Sequence, residues 1–431
     1  MRLWSFHRKE NQHMISPVER LTADITGLGS NMTIQSLSEW QLRRIRDTLS
    51  HVKKRSPFYS KYLVDIDESQ IQSLADIKRI PFTTQQDIID QSSGFVCVPD
   101  KEIARIRTFM TSGSTAKAKR IYFTDNDITR TVSFFAHGMT TMVSSGEKVL
   151  IMMSDGKPGS IADLLQKGLD RVGVSSKIHG NIADVETAAS DASEVQCIVG
   201  MPSEINYLCV THPSLRPASV LLSADYAPES IINKIKKNWR CKVFTHYGMT
   251  ETCYGCAVQC TEGSGHHIRH EDMFLEIIDP VDGSSIPIGC EGEIVLTVFA
   301  NQAMPLIRYR TGDIGSIVID KCICGGILPR LSKVKGRLNN IIKISEGQNI
   351  SIEQLDEIIY GIDTVRTYNA ELELHPDKKT LSLVIDSYGS LDIEDIIQNI
   401  RQVVPDEITI EVNFETLPPS AWTRKRHLKI T

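Results

Sequence analysis

The chain has 431 residues, 41% hydrophobic and 23% charged, which points to an ordinary globular protein of two or three domains with ample core material. Its formal charge of −5, from 48 Lys and Arg against 53 Asp and Glu, argues against wholesale electrostatic binding to nucleic acid while leaving room for a local basic pocket. The N-terminus is charged early and lacks an apolar signal core, and the longest apolar run is only Val149 to Met153. No bilayer span is expected, so the predicted location is cytoplasmic and the ten cysteines are expected to be reduced.

Residues 1–30 carry little periodic signal. From Ser36 to Leu63 the spacing of Trp40, Leu42, Ile45, Leu49 and Val52 predicts an amphipathic helix, broken near Pro57. After Pro81, Thr83 or Thr84 is placed to cap the next helix. Between Arg105 and Val295, short apolar runs (RIRTFM, KVLIMM, VQCIVG, SVLLSA, CKVFTHY) alternate with helical stretches such as IADLLQKGLDRVG and PESIINKIKKNW. That alternation predicts an α/β fold with a mostly parallel sheet. Residues 273–315 read as antiparallel strands joined by PVDG and GCEG turns. Beyond Arg337 the texture becomes a compact α+β pattern. The expected architecture is a large N-terminal domain, 1–336, of layered mostly parallel sheets and helices plus a β-rich subdomain. A small α+β C-terminal domain, 337–431, completes it.

The stretch TSGSTAKAK places hydroxyls (Ser112, Ser114, Thr115), a permissive Gly113 and positive charge (Lys117, Lys119) within a few residues. Such a turn suits a phosphate-rich ligand, although a solvated Ser/Thr/Lys turn reads equally well from these residues alone. HYGMTET, His246 to Thr252, directly follows the strand CKVF, where α/β sheets present their ligand-facing loops. RYRTGD, Arg308 to Asp313, and GRLNNIIKISEGQNIS, Gly336 to Ser351, complete a series of four segments.

In order and spacing these segments resemble the adenylate-forming superfamily of acyl-CoA synthetases, most of all its phenylacetate–CoA ligase-like branch, over residues 36–431. The resemblance implies an ATP-dependent carboxylate–CoA ligase that forms acyl-AMP and then acyl-CoA, with an aryl or related acid favoured. It assigns Ser112, Gly113, Ser114, Thr115 and Lys117 to the ATP β- and γ-phosphates, and Ser223, Ala224 and Asp225 to the adenine. In HYGMTE, Tyr247 and Gly248 meet the nucleotide, Thr250 faces the phosphate and Glu251 ligates Mg²⁺. Asp313 accepts the ribose hydroxyls and Arg337 contacts ribose and phosphate. Lys425 is the adenylation lysine, with Lys429 in reserve. The small domain is expected to rotate between half-reactions. Each residue also has a plainer reading: a strand-end aromatic for Tyr247, a turn for Asp313, a solvated tail for Lys425. The rival activities are adenylation with a non-CoA acceptor (an amine, hydroxyl or carrier thiol) and nucleotide binding without turnover.

The cysteines and histidines suggest one further site. Cys260 and His267 lie seven residues apart, and Cys322 and Cys324 form C-x-C. Together they make a candidate Cys₃His set for a structural Zn²⁺, which relatives in the same branch support in part. Free thiols are the alternative, and Cys253, Cys256, His266 and His270 are substitute ligands. The expected partners are a carboxylic acid, ATP and CoA, with neither nucleic acid nor membrane; a homodimer is allowed. The roles of His137 and His246 are open.

Overall fold

The structure, a computed structural model, describes residues 16–110, 118–154, 156–260, 265–345, 347–375, 378–423 and 425–430. Its first element corrects the sequence reading, because Pro17–Thr26 is a helix. The Ser16 side chain accepts the Glu19 amide, Pro17 occupies a position that needs no donor, and Gly27 closes the helix at φ +71°. At about three turns the helix is too short for a strong apolar period. Ile34–Arg55 follows, with Ile45, Leu49 and Val52 fully buried, and it ends ahead of Pro57 as expected. Thr84 caps Gln85–Gln91, whereas the buried Thr83 donates its hydroxyl to the Ile307 carbonyl.

Arg105–Met110 is a strand, but it does not join the parallel sheet. It pairs antiparallel with Ala118–Phe123. The expected alternation begins after the helix Asp125–Met139. Ser175–Ile178, Lys148–Met152, Cys197–Gly200, Ser219–Leu222 and Lys242–Tyr247 lie side by side and parallel, in that spatial order. The helices Ile161–Arg171, Val185–Ser193, Pro202–Thr211 and Glu229–Trp239 connect them. Inner strands such as Cys197–Gly200 and Ser219–Leu222 are buried throughout, as their unbroken apolar runs require when helices cover both faces. Beyond Tyr247 the sheet continues antiparallel through Ala257–Gln259, His266–Ile268, Arg330–Leu331 and Ile317–Val318, making nine strands among the described residues.

Met273–Ile278, Gly292–Val298 and Leu306–Gly315 form the expected antiparallel sheet. Glu293 pairs with Ile314 and Val295 with Arg310, so Thr311, Gly312 and Asp313 bulge opposite Ile294 alone. Gly312 at φ +73° makes that bulge accessible, and bulges of this kind re-aim side chains. After Gly336 come the hairpin Ile341–Ser345 with Gln348–Ser351, the helix Ile352–Ile359 and a four-stranded sheet with the helix Ile393–Ile400. Gly336 has φ +124°, and a Cβ there would sit 2.6 Å from the Glu353 carboxyl, so only glycine fits the junction.

One apolar cluster runs from the parallel sheet through Ile205 and Ile235 into Leu355, Tyr368 and Leu383 of the C-terminal region. Polar contacts reinforce it. Glu357 accepts the amides of Glu229 at 2.8 Å and Ser230 at 3.0 Å, capping a helix from outside its own segment. Among the described residues no helix is long and apolar enough to cross a membrane.

Candidate active site and metal centre

Leu222 and Tyr247 end two adjacent parallel strands, so Ser223, Ala224, Asp225 and Gly248 emerge together at the carboxyl edge of the sheet. A cavity of about 290 Å³ opens there. Ala224, Asp225, Tyr247, Gly248, Asp313, Arg337 and Lys425 all line it, although Ala224 and Lys425 lie 201 positions apart in the chain. Ala224 adopts φ +72°, a left-handed conformation that costs a residue with a Cβ about 1 kcal/mol or more and persists where the surroundings fix it.

Asp313 is the centre of the polar network. Tyr247 donates its hydroxyl to Oδ2 at 2.8 Å, and Arg337 Nε donates to Oδ1 at 2.8 Å. A carboxylate has about four lone-pair sites, so both oxygens can still accept a ligand hydroxyl. Asp225 accepts the Arg426 amide at 2.7 Å and the Tyr226 amide at 2.9 Å, while burial pushes its carboxyl above the usual range. Lys425 lies exposed at the cavity mouth yet ringed by protein. Lost solvation and the nearby Arg337 lower its pKa, opposed by Asp225, Asp313 and Glu251.

Glu251 sits in the short turn Thr250–Thr252, which also holds Thr250. Its carboxylate pairs with Lys119 and accepts the Tyr309 hydroxyl at 2.9 Å. Burial alone would raise this carboxyl, but the Lys119 ammonium outweighs it and holds the pKa below its ordinary value. Ser112, Gly113, Ser114, Thr115 and Lys117 lie outside the described residues. Lys119, on the strand Ala118–Phe123, ties that strand to the Glu251 turn. Tyr309 and Arg426 were missed from sequence: the first hides inside an apolar strand pattern, the second inside a basic tail.

A second, apolar cavity of about 30 Å³ is lined by Phe134, Phe135, Met139, Met153, Leu165 and Val199, with Ser223 and His246 at its polar side. His246 also lines the larger cavity and so separates the two. Its Nδ1 lies 3.0 Å from Ser223 Oγ, its Nε2 is buried without a partner, and burial lowers its pKa to about 3. His137 instead keeps to its own helix, with Nδ1 2.8 Å from the Ser133 carbonyl.

Cys260, His267, Cys322 and Cys324 converge, with all four donor atoms within 4.8 Å of one another. His267 comes from the strand His266–Ile268, Cys260 follows the neighbouring strand, and a tight turn with Gly325 N bonded to Cys322 O brings in the remaining pair. Sγ of Cys260 is 3.5 Å from Sγ of Cys322, and His267 Nε2 is 3.1 Å from Cys260 Sγ and 3.5 Å from Cys324 Sγ. Tetrahedral ligands with metal–sulfur bonds of about 2.3 Å leave sulfurs roughly 3.8 Å apart, so this donor set fits a Cys₃His ion. Glu19, unsuspected from sequence, supports it from the first helix. Its Oε2 lies 3.8 Å from His267 Nδ1, and its Oε1 accepts the Ile327 and Leu328 amides, each at 2.8 Å. Cys253, Cys256, His266 and His270 are not part of the cluster among the described residues.

No family model matches the chain. In sequence it is 26% identical to the phenylacetate–coenzyme A ligase of Thermus thermophilus over 350 residues, covering 77% of this chain and 76% of that protein. It is also 26% identical to the phenylacetate–coenzyme A ligase of Pseudomonas putida, covering 80% and 82%. In structure it is similar to a 2-hydroxyisobutyryl-CoA ligase in the postadenylation state in complex with 2-HIB-AMP. The TM-score is 0.78 at 19% identity, with 93% of this chain and 90% of that one covered. Against the same ligase with 2-HIB-AMP and CoA in the thioesterification state the TM-score is 0.66. The order of the four segments and these likenesses agree: the chain is similar in sequence to phenylacetate–CoA ligases and shares its fold with a CoA ligase that forms an acyl-AMP.

Proposed function

We propose that the protein is an AMP-forming carboxylate–CoA ligase that uses ATP and Mg²⁺. The observation that carries this reading is the convergence of Tyr247, Asp313, Arg337 and Lys425 on one cavity at the carboxyl edge of the sheet. In the first half-reaction a carboxylate oxygen attacks the α-phosphorus of ATP; the bond to the bridging oxygen breaks, pyrophosphate leaves and acyl-AMP forms. In the second, the CoA thiol loses its proton and attacks the acyl carbon, and AMP departs with the carboxyl oxygen. Such chemistry needs positioning and charge neutralisation more than covalent help.

Asp313 takes the ribose hydroxyls on its remaining lone pairs, while Tyr247, Gly248, Ala224 and Asp225 border the base; Ser223, expected there from the sequence, lines the apolar cavity instead. Arg337 and Lys425 neutralise charge at the α-phosphate. Ser112, Gly113, Ser114, Thr115 and Lys117, with Thr250, hold the outer phosphates. A magnesium ion carried on those phosphates would neutralise their charge, and Glu251, now paired with Lys119, is the carboxylate placed to hold it. We assign residues 1–336 to a fixed part and 337–431 to a part that rotates after acyl-AMP forms. The higher TM-score to the postadenylation state supports reading this conformation as that of the first half-reaction.

The acyl group enters the apolar cavity beyond His246. The branch favours an aryl or related acid. Because a benzene ring fills an engineered cavity of about 150 Å³, such an acid requires Phe134 or Phe135 to swing aside from the present 30 Å³. Zn²⁺ at Cys260, His267, Cys322 and Cys324 is structural, since four protein ligands leave no open position. A cytoplasmic location fits this chemistry. The test is pyrophosphate release across a panel of carboxylic acids, with and without CoA. The expected outcome is acid-dependent release, with acyl-CoA and AMP appearing only when CoA is added. ATP binding with no acid-dependent release from any member rejects the reading, and release without thioester moves it to another acceptor.

A further inference from the structure

We propose that Tyr207 and Trp422, with Ser203 and Asn181, form a latch that positions the Lys425-bearing tail for acyl-AMP formation and must open before thioester formation. The proposal rests on the reading of Lys425 given above. Trp422 belongs to the tail and is only 4% exposed. Its ring stacks on Tyr207, with centroids 4.0 Å apart and planes at 16°. Tyr207 lies on the helix Pro202–Thr211, which starts just beyond the parallel strand Cys197–Gly200. Two hydrogen bonds fix the tail backbone beside this stack: Ser203 Oγ donates to the Trp422 carbonyl at 2.7 Å, and Asn181 Nδ2 to the Thr423 carbonyl at 3.0 Å. On the other side of Lys425, the Arg426 amide donates to Asp225 at 2.7 Å. Both flanks of the lysine are thus pinned to the parallel-sheet region, and the lysine between them faces the cavity.

The two flanks differ in what else they hold. Arg426 is tied by its guanidinium to Asp356 and to the Tyr368 carbonyl at 2.6 Å, so it travels with the C-terminal sheet. Trp422 and Thr423 are held by Ser203, Asn181 and Tyr207 of the other part. A rotation of residues 337–431 therefore cannot keep both sets of contacts, and the Trp422 set has to release. None of the four latch residues lines the nucleotide cavity, so they act through Lys425 as positioning residues.

Tyr207→Ala is expected to slow acid-dependent pyrophosphate release about tenfold, the loss of roughly one stacked contact and the order around it. Thioester formation from supplied acyl-AMP should stay within about twofold of wild type. Tyr207→Phe keeps the ring and restores the first half-reaction. Amide hydrogen exchange over residues 419–428 should accelerate in Tyr207→Ala and stay at the wild-type rate in Tyr207→Phe. Equal loss of both half-reactions, or unchanged exchange over 419–428 in Tyr207→Ala, overturns the latch. Should the wild type release no pyrophosphate with any acid, the proposed activity fails by itself, while the exchange measurement still decides whether the latch exists.

Discussion

The cavity at the carboxyl edge of the sheet and the Cys/His cluster are both built from distant segments, but by opposite means. The cluster is knitted by strand pairing: His267 sits in a strand whose neighbours on either side place Cys260 and the turn of Cys322 and Cys324. A buried carboxylate, Glu19, backs the histidine. The cavity instead draws Lys425 from a tail held by single hydrogen bonds and one aromatic stack, and Arg337 from a glycine-dependent junction. One site is closed and supported by continuous ladders, so it can only be intact or broken. The other is assembled across contacts that can be given up together, as a site serving two reactions in turn requires.

The strongest way to break this contrast is Lys425→Ala. Acyl-AMP formation is expected to fall by at least about a hundredfold, the usual scale for losing a preorganised charge partner. Thioester formation from supplied acyl-AMP should be nearly untouched; equal loss of both in a half-reaction assay would make the cavity as undivided as the cluster. Next comes Cys322→Ser. Bound zinc, measured by atomic absorption, should fall from one per chain to none, and the melting temperature should drop by roughly 5 °C or more. Both half-reactions should then weaken by the same factor, and selective loss of either would draw the metal into the chemistry.

The effect most remote from both sites concerns Glu204, on the helix that carries Tyr207. Burial raises its carboxyl to about 8, against only one opposing hydrogen bond from the Ile182 amide. The folded state keeps its proton where the unfolded state has lost it. Stability is therefore full below the ordinary carboxylate pKa of about 4.5, declines as pH rises toward 8 and levels off beyond it. The slope is on the order of 1 kcal/mol per pH unit. Glu204→Gln should flatten that slope in denaturant titrations between pH 5 and 8, and an unchanged slope would remove Glu204 as its source.

Much of the architecture was legible in the chain. Lys148–Met152, Cys197–Gly200 and Ser219–Leu222 carry short apolar runs between helical periods, as a parallel sheet covered on both faces requires. The C-terminal elements matched their patterns because each is short and strongly periodic. Pro17–Thr26 was missed although Ser16, Pro17, Glu19 and Gly27 spell out its ends, because its apolar face is too brief to register. Arg105–Met110 was read correctly as a strand and wrongly as part of the parallel sheet, since alternation says nothing of the partner. In the site, Asp313, Tyr247 and Lys425 could be named from their motifs. Glu19, Tyr309 and the Tyr207–Trp422 stack could not, because each is defined by a contact between positions far apart in the chain.

The helix Glu229–Trp239 has no cap of its own: Pro228 precedes it, and the Glu357 carboxylate closes its first turn from the far side of the junction. The proposed parts, 1–336 and 337–431, are thus not freely interchangeable modules. A chimera that took residues 337–431 from a protein lacking an acid at that place would leave the helix end open, at about 1 kcal/mol. A single side chain thereby sets which parts can be married.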